Sequence, residues 1–143
     1  MSQYVLDTDC LTLLLHGHSE ICRKTAAHDP SELGLTIITV EETLTGWYGQ
    51  IRKAKKDEQT IRAYASLQQA VEFCARVPIL PMDQDAMSRF HLLRASKRRL
   101  GTNDLKIAAI VLVHGVILVT RNMRDFKGIP GLQLEDWTEK DKK

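Results

Sequence analysis

A chain of 143 residues, 43% hydrophobic and 27% charged, can bury one sizeable core and is too balanced to be disordered or fibrous. No apolar run reaches membrane-spanning length, and residues 1–15 lack the basic start and cleavage site of a secretory signal, so a cytoplasmic protein off the membrane is expected. The net charge of +2 conceals an imbalance: with four of the 18 acids gathered in one site, 14 remain against 20 Lys and Arg, and that +6 surface suits a polyanionic partner.

Tyr4-Val-Leu6 reads as a short apolar strand with Asp7-Thr-Asp9 at its end. Leu11, Leu13, Leu14 and Leu15 then form a short helix for which Thr8 or Asp9 is the cap. A second helix over 19–27 ends at Asp29-Pro30. The β-branched run 35–40 reads as the second strand, so that Glu41-Glu42 open the helix carrying Leu44, Trp47, Tyr48 and Ile51. That helix closes on a basic cluster, Arg52, Lys53, Lys55 and Lys56, and residues 57–76 are helical again, which makes a hairpin. Residues 77–80 are a third strand, and 83–97 an amphipathic helix running into Lys97-Arg98-Arg99. Gly101 breaks the chain and Thr102 or Asn103 caps the next helix. Leu105, Ile107, Ala108, Ala109, Val111 and Leu112 make that helix apolar on most faces, hence interior. Gly115 stops it, 116–119 is a buried strand, 129–134 the last strand, and 139–143 a frayed tail. Strands alternating with helices predict a single α/β domain over 1–143, three layers around a parallel sheet. Cys10, Cys22 and Cys74, odd in number and in apolar surroundings, suit reduced core thiols.

Parallel strands share one carboxyl edge, where such sheets place their chemistry. Asp7, Glu42, Asp104 and Asp125 each sit at a strand end or helix start, so the topology predicts that they converge. Singly, each has a plain role: Asp7 as a helix cap, Glu42 and Asp104 as partners of a helix dipole, Asp125 as a turn residue. Together they are costly, since two carboxylates ~4 Å apart repel by roughly 4 kcal/mol at an effective dielectric near 20. A divalent cation offsets that cost. An all-oxygen set suits Mg²⁺ or Mn²⁺, ions that activate water and take phosphate oxygens.

Four ordered segments resemble the PIN-domain ribonucleases: Tyr4-Val-Leu-Asp7-Thr-Asp9, Thr39-Val-Glu-Glu42-Thr-Leu-Thr-Gly46-Trp47, Gly101-Thr-Asn-Asp104-Leu-Lys-Ile-Ala-Ala109 and Thr120-Arg-Asn-Met-Arg-Asp125-Phe126. Ile129-Pro-Gly-Leu and Glu135-Asp-Trp137 are similar to the VapC-type toxin branch, and the likeness spans residues 4–137. The resemblance implies a PIN-like fold and metal-dependent endoribonuclease activity, with Asp7, Glu42 and Asp104 as catalytic residues and ligands of Mg²⁺ or Mn²⁺. Glu42 and not Glu41 matches the family acid, standing four residues before Gly46. It further implies an RNA substrate, a small antitoxin that inserts near the site, and a homodimer. Two positions depart from the family pattern. Asn122 stands where a fourth acid is frequent, with Asp125 one turn on as its substitute, and Asp9 stands where Asn is common and is read as the cap. Asp125, Asn122, Thr8, Asp9 and Thr120 are the candidates for supporting the three acids. Lys97, Arg98 and Arg99, beside Asp104, are the candidate phosphate contacts.

Two other readings fit parts of the chain. Val5-Leu-Asp7-Thr-Asp9 mimics the nucleophile motif of haloacid-dehalogenase phosphatases, although Leu11 occupies a position that family gives to Thr or Val. A PIN domain with a decayed site that only binds RNA or a partner is the other, supported by Asn122. His16-Gly-His18 reads as a surface turn, His114 as a partner of its helix dipole, and Trp47 and Tyr48 as core or dimer interface.

Overall fold

Strands of only two to four residues carry the architecture of this protein. The computed structural model describes residues 3–96 and 99–140. In chain order the elements are β1 (Tyr4–Leu6), α1 (Thr8–Leu15), α2 (Ser19–Ala26), a 3₁₀ turn (Pro30–Glu32), β2 (Leu33–Thr36), α3 (Ile37–Lys53) and α4 (Asp57–Arg76). They continue with β3 (Ile79–Leu80), α5 (Gln84–Ala95), α6 (Thr102–His114), β4 (Ile117–Val119), α7 (Met123–Phe126) and β5 (Gln133–Glu135). All strand pairs are parallel, in the order β3-β2-β1-β4-β5.

Side chains alternate across each strand, so β1 sends Val5 to one face and Leu6 to the other, and β4 divides Leu118 and Val119 the same way. The Val5 face is covered by α5 and α6, with Phe90, Ile107, Ile110 and Phe126 buried there. The Leu6 face is covered by α1, α2 and the end of α4, through Leu11, Ile21, Phe73 and Trp137. The predicted three layers are therefore present, as is the α3–α4 hairpin. α6 is the interior helix that its sequence demanded, with Leu105 and every residue from Ile107 to Val111 buried. Its stop is the left-handed Gly115, φ 64°, a conformation that costs an L side chain more than glycine.

Several boundaries differ from the sequence reading. The β-branched run after Leu35 leaves the sheet at Thr36, whose hydroxyl accepts the Thr39 N–H at 3.1 Å and starts a helix inside the expected strand. Burial of Ile38 and Thr39 on one face of α3 overrides their strand propensity. The first helix is capped by Asp7 rather than Thr8 or Asp9, and α6 by Gly101 rather than Thr102 or Asn103. The last strand is β5, starting at Gln133. Ile129 is buried ahead of it in a turn. Lys97, Arg98 and residues 141–143 of the expected tail lie outside the described residues. Cys10 and Cys74 are buried and Cys22 half-buried, all as free thiols.

Candidate active site

The strand order reverses between β1 and β4, and the carboxyl ends of those two strands form the crevice where an α/β sheet binds its ligand. Asp7 leaves β1 there, its N–H donating to the Val119 carbonyl at 3.0 Å. As N-cap of α1 its carboxylate accepts the Cys10 N–H at 2.8 Å, and the Thr120 hydroxyl also bonds to it from the end of β4. Asp7 is buried, and burial pushes its carboxyl above the usual carboxylate range despite these donors.

Glu42 reaches the same crevice from the second turn of α3, rather than from the opening of that helix. Thr8 Oγ1 lies 2.6 Å from its Oε1, and Asn103 Nδ2 donates to its Oε2 at 3.2 Å. Thr8 Oγ1 is also 3.2 Å from Thr39 Oγ1, which lies 3.4 Å from Thr36 Oγ1. The carboxylate is the one charged acceptor of this chain, so it takes the Thr8 proton and the hydroxyls align from Thr36 through Thr39 and Thr8 to Glu42. Asp104, in the first turn of α6, completes the set. Its carboxyl is pushed up by burial first, then by the charges of Glu42, Asp7 and Asp125.

Asp7, Glu42 and Asp104 line one open cavity of about 590 Å³ together with Thr8, Asp9, Arg121 and Asn122. Glu41, by contrast, is exposed and does not line the cavity. Of the two rivals for the fourth position, Asn122 lines the cavity, its N–H donating to Thr120 Oγ1 at 2.9 Å. Asp125 lies on α7 outside the lining, although its charge is felt at Asp104. Asp9 is not the cap: it lines the same cavity and pairs with Arg121 at 2.7 Å across the exposed rim. Arg99 is exposed and does not line the cavity. Sequence reasoning passed over Asn103 and Arg121 as site residues. Each sits one position from a residue it did single out, Asp104 and Thr120, which was the available signal.

No three His, Cys, Asp or Glu side chains among the described residues already crowd one point as a closed ligand cage. Mg²⁺ does not require one: it meets proteins through one or two carboxylates and keeps several waters. Three spaced carboxylates around an open cavity, two of them disfavoured as anions, are a fitting donor set for such an ion.

The family model for the PIN domain matches residues 4–132. The chain belongs to the PIN-domain family. This PIN domain is 28% identical over 142 residues to ribonuclease VapC1 of Haemophilus influenzae strain R2866, covering 95% of this chain and 98% of that protein. It is 27% identical over 141 residues to the tRNA(fMet)-specific endonuclease VapC of Salmonella typhimurium strain LT2, covering 96% and 99%. A chain of a solved toxin–antitoxin complex from Klebsiella pneumoniae superposes with a TM-score of 0.69 at 28% identity, covering 90% of this chain and 94% of that one. The resemblance to the VapC branch and the PIN-like α/β fold are both borne out. The haloacid-dehalogenase reading falls with them, and its second acid, Asp9, points to Arg121 instead.

Proposed function

We propose that this PIN domain is an endoribonuclease toxin of the VapC type that hydrolyses RNA phosphodiester bonds with a divalent metal. The observation that carries the reading is the convergence of Asp7, Glu42 and Asp104 on one open cavity at the carboxyl edge of the sheet. These three would hold Mg²⁺ or Mn²⁺, which supplies water activation and charge neutralisation at the phosphate. The chain's own residues do the positioning: Thr120 and the Cys10 N–H fix Asp7, and Thr8 and Asn103 fix Glu42. Asp104, at the start of α6, would complete the carboxylate set, and an ion there would offset the charges of Glu42 and Asp7 that now press on it. Three intact acids speak against a decayed site. Arg99, with Lys97 and Arg98, remains the candidate phosphate contact beside Asp104.

A small antitoxin is the proposed protein partner, on the strength of the toxin–antitoxin complex among the structural relatives. The homodimer is supported by apolar side chains left exposed on the α3–α4 hairpin, Tyr48, Ile61, Tyr64 and Val71. No helix among the described residues is long and apolar enough to cross a membrane. The deciding experiment incubates purified protein with total cellular RNA and Mn²⁺ and maps the new ends by sequencing, beside the Asp104→Asn variant. Discrete ends made only by the parent support the reading; identical end profiles refute it.

A further inference from the structure

The acid cavity is one chamber of three. It shares Thr8, Thr12 and Glu42 with a second cavity of about 200 Å³. That one shares Trp47 and Gln50 with a third, of about 330 Å³, where Lys53 and Arg62 stand between α3 and α4. The middle cavity follows the groove between two facing helical stripes, Thr8, Thr12 and His16 from α1 and Glu42, Thr43, Gly46 and Gln50 from α3. The track thus runs from acidic, through mixed, to basic.

The middle chamber is below the roughly 300–1,000 Å³ of sites for drug-sized molecules and suits a single flat ring system. Trp47 and His16 form its aromatic wall, ring centroids 6.0 Å apart and planes at 70°. Trp47 is half-buried. Thr43 is 6% exposed, and its buried hydroxyl has no hydrogen-bond partner among the described residues. A helical threonine divides between two χ1 rotamers, so that hydroxyl has a second position open to it on the cavity wall that Thr43 lines. Gln50 offers an amide donor and acceptor, and a Cβ on Gly46 would meet nothing within 4 Å, which leaves the chamber open.

An aromatic face with hydroxyl and amide groups beside it is the chemistry that takes an unstacked nucleobase. We propose that the α1–α3 groove holds the base of the nucleotide adjoining the scissile phosphate, stacked on Trp47 and read at its edge by Thr43 and Gln50, while the neighbouring backbone runs to Lys53 and Arg62. The inference rests on the nuclease reading. Continuity with the acid cavity at one end and with basic side chains at the other favours RNA over a protein partner as occupant.

Trp137 is 3% exposed, so fluorescence quenching by a bound base reports on Trp47. RNA hexanucleotides are titrated into the Asp104→Asn protein, with an abasic nucleotide placed at each position in turn. In parallel, random-sequence RNA is cleaved by the parent in Mn²⁺ and the ends are mapped. Quenching is expected, lost when one particular position is abasic, with affinity falling about tenfold. The parent shows a base preference next to the cut, and Thr43→Val or Gln50→Leu flattens it. Thr43→Val keeps or raises the melting temperature, because it removes an unsatisfied buried hydroxyl. A merely structural Thr43 lowers that temperature on substitution and leaves the preference intact, which overturns the assignment. Cleavage without quenching or preference refutes the base pocket and leaves the nuclease standing. Quenching by a parent that cleaves nothing with any divalent metal supports the pocket and refutes the nuclease. If Trp47→Leu keeps the base preference but releases inhibition by the co-expressed antitoxin, the groove belongs to that protein and the proposal fails.

Discussion

Thr8 is the perturbation that tests the site most sharply, because it touches Glu42 without being an acid. Its hydroxyl lies 2.6 Å from Glu42 Oε1, shorter than the 3.2 Å bond from Asn103 to Oε2. A hydrogen bond to a charged group contributes roughly 1.5–3 kcal/mol, and short ones lie toward the strong end. Thr8→Val keeps the β-branched shape at the first position of α1 and removes the donor to Glu42, together with the hydroxyl contact to Thr39. Glu42 is then held by Asn103 alone and free to swing about it. Were about 1.4–2.8 kcal/mol of that positioning expressed in the transition state, kcat/KM would fall about 10- to 100-fold. The assay is single-turnover cleavage of a fluorophore–quencher RNA over a Mn²⁺ series, with Thr8→Ser alongside. Serine restores the donor and should return most of the rate, while valine should also need more Mn²⁺. Thr8→Val cleaving within about twofold of the parent, or Thr8→Ser failing as badly as valine, refutes the positioning role.

Asp7→Asn and Asp104→Asn should each abolish cleavage, and metal-free Asp104→Asn should melt no lower than the parent, since the charges of Glu42, Asp7 and Asp125 no longer press on it; calorimetry and the RNA assay check both. Because burial raises the Asp7 and Asp104 carboxyls above 3.8, the folded chain binds more protons than the unfolded one. Their contribution is therefore favourable at acid pH and lost as pH rises through the window above 3.8, so Mn²⁺ should raise the melting temperature more at about pH 7 than at about pH 4.5. Equal metal shifts at both would contradict that sign. Asn122→Asp should tighten Mn²⁺ binding in titration calorimetry by adding a charge to the cavity lining, and Asp125→Ala should lower activity without abolishing it. Neutralising Lys97, Arg98 and Arg99 together should flatten the salt dependence of RNA binding by about 0.7 in slope for each phosphate these side chains neutralise.

Most of this fold was legible because burial and sequence period agree. Residues 57–76 and the interior helix before Gly115 carry helical spacing and a stop that nothing in the tertiary structure contradicts. Residues 37–40 show where that agreement ends: their side chains prefer a strand, but the Thr36 cap and the burial of Thr39 win. The same early helix start puts Glu42 one turn inside α3 rather than at its opening, and still leaves it in the cavity lining. Asp7, Glu42 and Asp104 could be named in advance because their type and order carry chemistry. Asn103, Thr39 and Arg121 could not, since each matters through a partner 31 to 112 positions away, from Thr8 to Arg121, which no local pattern records.

The sheet edge limits how this protein can assemble. β3 is the outer strand, two residues long, and it is bracketed by Pro78 and Pro81. Proline offers no N–H, so neither flank of that strand can lengthen the ladder toward an incoming strand. The opposite edge, β5, is three residues long. Another chain therefore finds almost no backbone to pair with at either side, and strand addition, fibre-like stacking and β-mediated dimerisation are all disfavoured. Any association is left to side chains rather than backbone, and a surface made of side chains such as the exposed Ile61 and Tyr64 is open to single-residue change.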